Sequence, residues 1–349
     1  MKAGRTLTAI ATELDRQMKT KKDYVVSTQM LTMKENGEVS GGNHSYALTQ
    51  YAHSQVASRV GIPKQYYDRM RTEAPKLLSS NVNHWFHDKP EKRMLRTLDG
   101  NIRAFLSDRY RPLDNYDLAE VVLPALQDTG CEVVSAEVTD IRMYIKAVTP
   151  RIQQEVGKGD AVQAGLVVSN SEIGAGSLRI EPLVYRLVCL NGMIAADHAM
   201  RKYHVGRRSQ EEQVNMRFYS DSTRAATDKA FWLQVKDTVN GVLSEDGFAT
   251  IVASMKGLKD FQIDSKNTDA NKVVEDVTTK LCMSDTESGG VLDHLIKGGD
   301  LTGYGVMNAV TRMSQDVEDY DRATELERWG GMMTGWSIAE WKTVGLVRS

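Results

Sequence analysis

At 349 residues, 41% hydrophobic and 26% charged, the chain has the composition of a globular protein, large enough for one big domain or two ordinary ones. No apolar run reaches the roughly 20 residues of a membrane span, and the N-terminal stretch lacks the apolar centre of a signal peptide, so no membrane partner is expected. Three widely spaced cysteines, Cys131, Cys189 and Cys282, argue against a disulfide framework or zinc ribbon and fit a reducing cytoplasm, while a net charge of −2 hides an uneven distribution taken up below.

Residues 1–90 read as mostly helical. MKAGRTLTAIATELDRQMKTKK forms a short amphipathic helix, and YVVSTQMLTMKENGEVSG gives two short strands around Asn36-Gly37, a strong hairpin dipeptide. LTQYAHSQVASRVGI places Leu48, Tyr51, Ala52, Val56 and Val60 on one helical face. Pro63 suits the first turn of the next helix, PKQYYDRMRTEAPKLL. The two helices have the spacing of a helix–turn–helix DNA reader, but no base-reading face accompanies them and plain packing is the simpler account.

From residue 91 the period becomes that of strands. RMLRTLDGNIRAFLSD is a hairpin turning at Asp99-Gly100, and Asp114 or Asn115 is placed to cap the helix YDLAEVVLPALQDTG, which Gly130 stops. EVVSAEV and IRMYIKAV read as strands, TPRIQQEVGKGD as a polar loop, and AGLVVSN as the strand opening the most informative stretch, Gly165 to Met193. There two β-rich runs flank a polar turn, Asn170 to Ser177, and Arg179 and Arg186 interrupt the second run. An arginine among apolar neighbours needs a carboxylate or an anionic ligand. The block is therefore either a hairpin with a structural ion pair, Glu172 or Glu181 serving Arg186, or a scaffold presenting cations to a polyanion.

MIAADHAMRKYHVGRR follows as a strand or loop, and a long helix from Thr223 to Leu243 carries Phe231, Val235, Val239 and Val242 at helical spacing. Residues 245–349 read as helical and acidic, broken by a flexible GGVLDHLIKGGDLTGYG. The expected fold class is α+β: a central antiparallel β-rich core over residues 91–244 packed on the long helix, between helical N- and C-terminal segments.

Common catalytic motifs are missing from the sequence. It has no phosphate-binding G-x-x-x-x-G-K-[ST] loop, no G-x-S-x-G elbow and no H-E-x-x-H, so no catalytic residue and no cofactor is assigned. Gly174-Ala175-Gly176 lacks the third glycine and the following helix of a dinucleotide site. On a helix His84 and His87 would share a face, and with Asp88 they are the nearest approach to a metal motif, but further ligands are not legible and no metal is assigned.

What remains is a basic and aromatic constellation. Arg103, Arg109, Tyr110 and Arg111 surround one hairpin, Arg179, Tyr185 and Arg186 lie in the central block, and Arg201, Lys202, Tyr203, His204, Arg207 and Arg208 follow it. Guanidinium groups hold phosphate oxygens in pairs, and tyrosine faces stack bases for about 1–3 kcal/mol each. Acidic residues gather instead between Ile263 and Glu327, most densely in DVEDYD at Asp316 to Asp321.

IRAFLSDRYRPLDN, LVVSNSEIGAGSLRIEPLVYRLVCLNGM and YGVMNAVTRMSQDVEDYDRATELERWGG, with SQVASRVGIPKQYYDRM upstream, resemble domain of unknown function 932, the phage/plasmid-like protein family. The resemblance spans nearly the whole chain and implies a mobile-element protein in the cytoplasm of a bacterial host, working on or near replicating DNA. The layout is also compatible with annealing proteins similar to Rad-fifty-two, which pack a β-sheet on a long helix and form rings, an analogy of fold alone. The leading expectation is a recombination protein that binds and anneals single-stranded DNA without ATP, as a homo-oligomeric ring or filament. Arg103, Arg109, Tyr110, Arg111, Arg179, Arg186, Arg201, Lys202, Tyr203, Arg207 and Arg208 would contact the DNA, with Arg201 to Arg208 and Arg103 to Arg111 the stronger candidates. The acidic region would recruit a host or phage replication protein. The alternatives are a non-enzymatic accessory protein that binds a host protein, in an anti-defence or structural role, and a metal enzyme centred on His84, His87 and Asp88.

Overall fold

The computed structural model describes residues 1–110, 112–195, 221–264 and 268–348. An antiparallel five-stranded sheet forms the centre: β7 (Glu132–Val138), β8 (Met143–Gly157), β9 (Asp160–Asn170), β10 (Arg179–Arg186) and β11 (Asn191–Ile194), lying side by side in chain order. One face is apolar. Ala136, Met143, Ile145, Leu166, Val168 and Ile180 pack there against α1 (Leu7–Thr20), α5 (Asn115–Asp128) and α6 (Asp221–Val242), which contributes Val235, Val239 and Val242. The long helix thus closes the sheet and the chain is α+β, as its pattern predicts.

Residues 22–107 build a smaller unit with its own core. The strands β1 (Lys22–Ser27), β5 (Lys92–Leu98) and β6 (Asn101–Ser107) form one sheet, and β2 (Leu31–Met33), β3 (Val39–Gly41) and β4 (His44–Tyr46) another. Asp99 and Gly100 both have positive φ (51° and 81°), the conformation a two-residue hairpin turn demands. The hairpin at Asn36-Gly37 forms between β2 and β3, whereas Tyr24, Val25 and Val26 pair with β5 instead. Around these sheets lie α2 (Gln50–Arg59), α3 (Lys64–Glu73) and α4 (Pro75–Asp88).

Three expectations are corrected. PKQYYDRMRTEAPKLL is not one helix: Ala74 sits at φ −144°, ψ 60° between α3 and α4, because a proline bars the helical conformation from the residue before it. TPRIQQEVGKGD is not a loop. It continues β8 to Gly157, with Ile152 and Val156 turned inward, and the chain reverses at Lys158-Gly159. The glycine-rich GGVLDHLIKGGDLTGYG is largely helical, in α9 (Asp285–Gly298) and α10 (Gly303–Met313), with Gly290 allowing close approach to Met313.

The C-terminal helices α7 (Glu245–Gly257), α8 (Ala270–Lys280), α9, α10, α11 (Tyr320–Met333) and α12 (Ile338–Thr343), with the strand pair β12 (Phe261–Ile263) and β13 (Leu346–Arg348), share one hydrophobic core with the β11 end of the sheet. Their starts are capped as their sequences dictate. Ser284 and Ser337 make reciprocal capping boxes with Glu287 and Glu340, and Thr302 and Asp319 cap α10 and α11. Among the described residues, no helix is long and apolar enough to cross a membrane.

Candidate nucleic-acid interface

Strand register decides which side chains share the second face of the central sheet. Glu137, Tyr144, Ser169 and Arg179 form one row across it, and Ser135, Lys146, Val167 and Glu181 the next. Such a polar face cannot be covered by an apolar helix without stranding donors and charges. Helix α11 covers it with polar groups at helical spacing. Tyr320 Oη lies 2.6 Å from Ser135 Oγ, and Tyr144 Oη donates to Asp321 Oδ1 at 2.6 Å. Lys146 Nζ donates to Glu327 Oε2 at 2.6 Å, and Arg328 grips Glu181 through Nε and Nη2, the shortest contact 2.6 Å. Burial pushes the Tyr144 hydroxyl up to about 12 and pulls Lys146 below the ordinary lysine range, although Glu327 opposes the latter shift. Part of the acidic C-terminal region therefore faces inward as counter-charge.

At the Arg179 end of this face the pairing runs out. Arg142, Arg179 and Arg328 line a shallow recess with Ser169, Asn170, Gly176 and Ser177. They come from three segments: the turn before β8, the start of β10, and α11. Arg328 has Glu181, and its Nη2 also reaches Ser169 Oγ at 3.3 Å. Among the described residues no carboxylate pairs with Arg142 or Arg179. Burial works against the charge of Arg328, and Glu181 more than offsets it, holding the guanidinium above its usual value.

The loop from Ser171 to Leu178 forms the rim of the recess and is fixed by its carbonyls. Tyr110 Oη donates to Ser171 O at 3.3 Å, Arg96 Nη1 to Glu172 O at 2.8 Å, Gln55 Nε2 to Ile173 O at 2.8 Å, and Arg142 Nη2 to Ala175 O at 2.6 Å. Gly174 adopts φ 80°, and a Cβ on Gly176 would come within 3.2 Å of the Arg142 guanidinium. Arg109, which precedes Tyr110 in the chain, is exposed. The profile of the family described as Domain of unknown function (DUF932) matches residues 104–324, close to two thirds of the chain. The chain belongs to that family. No curated protein and no solved structure matches it.

Within this DUF932 chain the sequence-derived candidates have different fates. Arg179 lines the recess and Tyr110 holds its rim at Ser171, while Arg109 is exposed and is not part of the recess lining. Arg111, Arg201, Lys202, Tyr203, His204, Arg207 and Arg208 lie outside the described residues. Arg103 is 7% exposed and its Nη2 pairs with Glu172, so it is a structural cation and not a surface contact. Arg186 is paired too, but with Asp160 at 2.6 Å and not with Glu172 or Glu181. The register explains this: Arg186 stands opposite Val162, beside the β8–β9 turn where Asp160 sits, whereas Glu181 stands opposite Val167 within reach of Arg328.

Glu172 serves a hub between the small unit and the sheet. Its carboxylate accepts from Arg103 and from Asn115 N at 2.6 Å, with Lys21 Nζ 3.5 Å away. It thus caps α5 from a distance. Asp114, in the cap position, makes no capping bond because its carboxylate holds Lys21 at 2.6 Å and Arg96 at 2.7 Å. His84 and His87 are exposed on α4, with His87 Nε2 3.0 Å from Leu31 O. Among the described residues no group of three or more His, Cys, Asp or Glu side chains could hold a metal ion.

Sequence reasoning missed Arg142 and Arg328. Arg142 lies in a short turn between strands and Arg328 in a helix rich in acidic residues, so neither stands out by spacing. A cue for Arg328 was available in the polar positions 320, 321, 324, 327 and 328, which fall on one helical face opposite a sheet face that is itself polar.

Proposed function

We propose that this DUF932 protein binds single-stranded DNA and promotes its annealing without nucleotide hydrolysis, as a phage or mobile-element recombination protein acting as a homo-oligomer in the cytoplasm of a bacterial host. One observation carries the reading: Arg142 and Arg179, two arginines without carboxylate partners among the described residues, meet Arg328 beside a loop that Tyr110 and Arg142 hold by its carbonyls. Guanidinium groups at the end of a sheet suit a phosphate backbone. The exposed acids Asp316, Glu318 and Asp319 would keep DNA off their own surface or meet a replication protein.

Fluorescence anisotropy with a long unstructured oligonucleotide tests this. A contact neutralising three or four phosphates should weaken by roughly 20- to 50-fold between 50 and 200 mM salt. Absence of binding at 50 mM salt would remove the proposal. Capture of a host protein in its place would favour the accessory-protein alternative.

A further inference from the structure

We infer that the recess between Arg142, Arg179 and Arg328 is the seat of a single phosphate group. This rests on the reading of the same face as a nucleic-acid surface and narrows it to one subsite with one ligand chemistry. The lining decides the chemistry. It consists of three guanidinium groups, two hydroxyls, one carboxamide and a glycine, with no apolar side chain against which a base or an acyl chain could pack.

The arginines and Ser169 are poised to donate. Ser169 Oγ already accepts from Arg328 Nη2, which leaves its own hydrogen for a ligand, whereas Asn170 Nδ2 gives both its hydrogens to Leu113 O and Asn115 Oδ1, each at 2.9 Å, and so shapes the recess without adding a donor. Arg142 is held in place through one nitrogen by Ala175 O, so its remaining donors are oriented rather than free to wander. An anion with several acceptor oxygens and no donor matches this set. Among the described residues Glu181 is the only carboxylate paired with any of the three arginines, so the described lining carries surplus positive charge.

Gly176 adds an independent mark. Its φ is not in the left-handed region, so the backbone does not require glycine, yet any side chain would crowd the Arg142 guanidinium at 3.2 Å. Glycine keeps that wall of the recess open.

A phosphate could be a free monoester, a strand terminus or an internal phosphodiester, and all three present the same oxygens. Isothermal titration of the full chain with inorganic phosphate, with chloride at equal ionic strength as the control, reads the site directly. Parallel titrations with a 5′-phosphorylated and a 5′-hydroxyl oligonucleotide separate terminal from internal phosphates. Arg179→Ala strands no carboxylate, and Arg179→Lys keeps the charge while removing the fork, so a fold defect in the first leaves the second as the test. Losing one arginine should weaken phosphate binding by at least tenfold in Arg179→Ala and by several-fold in Arg179→Lys.

Phosphate binding in the wild type that is weakened in both variants, more in Arg179→Ala than in Arg179→Lys, supports the seat. Equal phosphate affinity in wild type and variants, or no phosphate binding at all, overturns it. The latter result alongside intact, salt-dependent DNA binding would leave the broader reading standing, whereas a phosphate seat without oligonucleotide binding would support the seat and reject DNA as its ligand.

Discussion

Lys146 Nζ lies 2.6 Å from Glu327 Oε2, and neither side chain has any exposure to solvent. The pair joins β8, an interior strand of the central sheet, to helix α11, with the ring of Tyr320 4.6 Å from the ammonium. A buried ion pair adds little net stability, because desolvation offsets most of the attraction, but removing one partner leaves a charge without compensation. Glu327→Gln or Lys146→Met should therefore each cost about 3–5 kcal/mol in urea unfolding, while Lys146→Met combined with Glu327→Leu should recover at least half of the summed loss. Additive losses in the double variant would show that the two groups act separately.

The same helix comes unusually close to β11. A Cβ on Gly331 would lie 1.8 Å from Ile194 O, and one on Gly330 would lie 2.1 Å from Thr311 Cγ2. Gly331→Ala must push α11 off the sheet, at a cost of about 1–3 kcal/mol or more. Gly289 is the contrasting case, exposed inside α9 with nothing within 4 Å of the added carbon. Gly289→Ala should stabilise by about 0.5–1 kcal/mol, since alanine only restricts the unfolded chain there. Thermal midpoints moving in opposite directions would bear this out, and a stabilised Gly331→Ala would contradict the packing.

Much of the fold was legible because periodicity reports burial. Val235, Val239 and Val242 are the buried stripe of α6, and Asp99-Gly100 turns where the dipeptide says it must. Partner choice was not legible. Arg186 found Asp160, 26 residues away, and Arg103 found Glu172, 69 residues away, because strand register and the docking of the small unit select among several carboxylates that look equivalent in the sequence. The continuation of β8 was hidden for a related reason: Gln153, Gln154 and Glu155 are polar on a ribbon with one wet side, which mimics a loop. The recess itself needed residues 142, 179 and 328 brought together, and no local pattern announces such a meeting.

His53 gives the small unit a measurable pH response. It is 6% exposed between α2 and α3, with Nδ1 3.0 Å from Tyr67 Oη. Burial lowers its pKa from 6.5 to about 4, Arg71 and Lys64 push the same way, and Asp68 opposes them. The folded state thus binds fewer protons than the unfolded state between these values, so stability rises with pH across that window. The contribution is complete above pH 6.5 and is lost as pH falls through 6.5 towards 4, amounting to about 1–2 kcal/mol between pH 7 and pH 5. Urea midpoints across that range should show the slope, and His53→Asn should flatten it. NMR titration supplies the direct check: an imidazole that protonates at or above pH 6.5 in the folded protein would refute the account, whereas one still neutral at pH 5 would place the ring where the packing of α2 on α3 puts it.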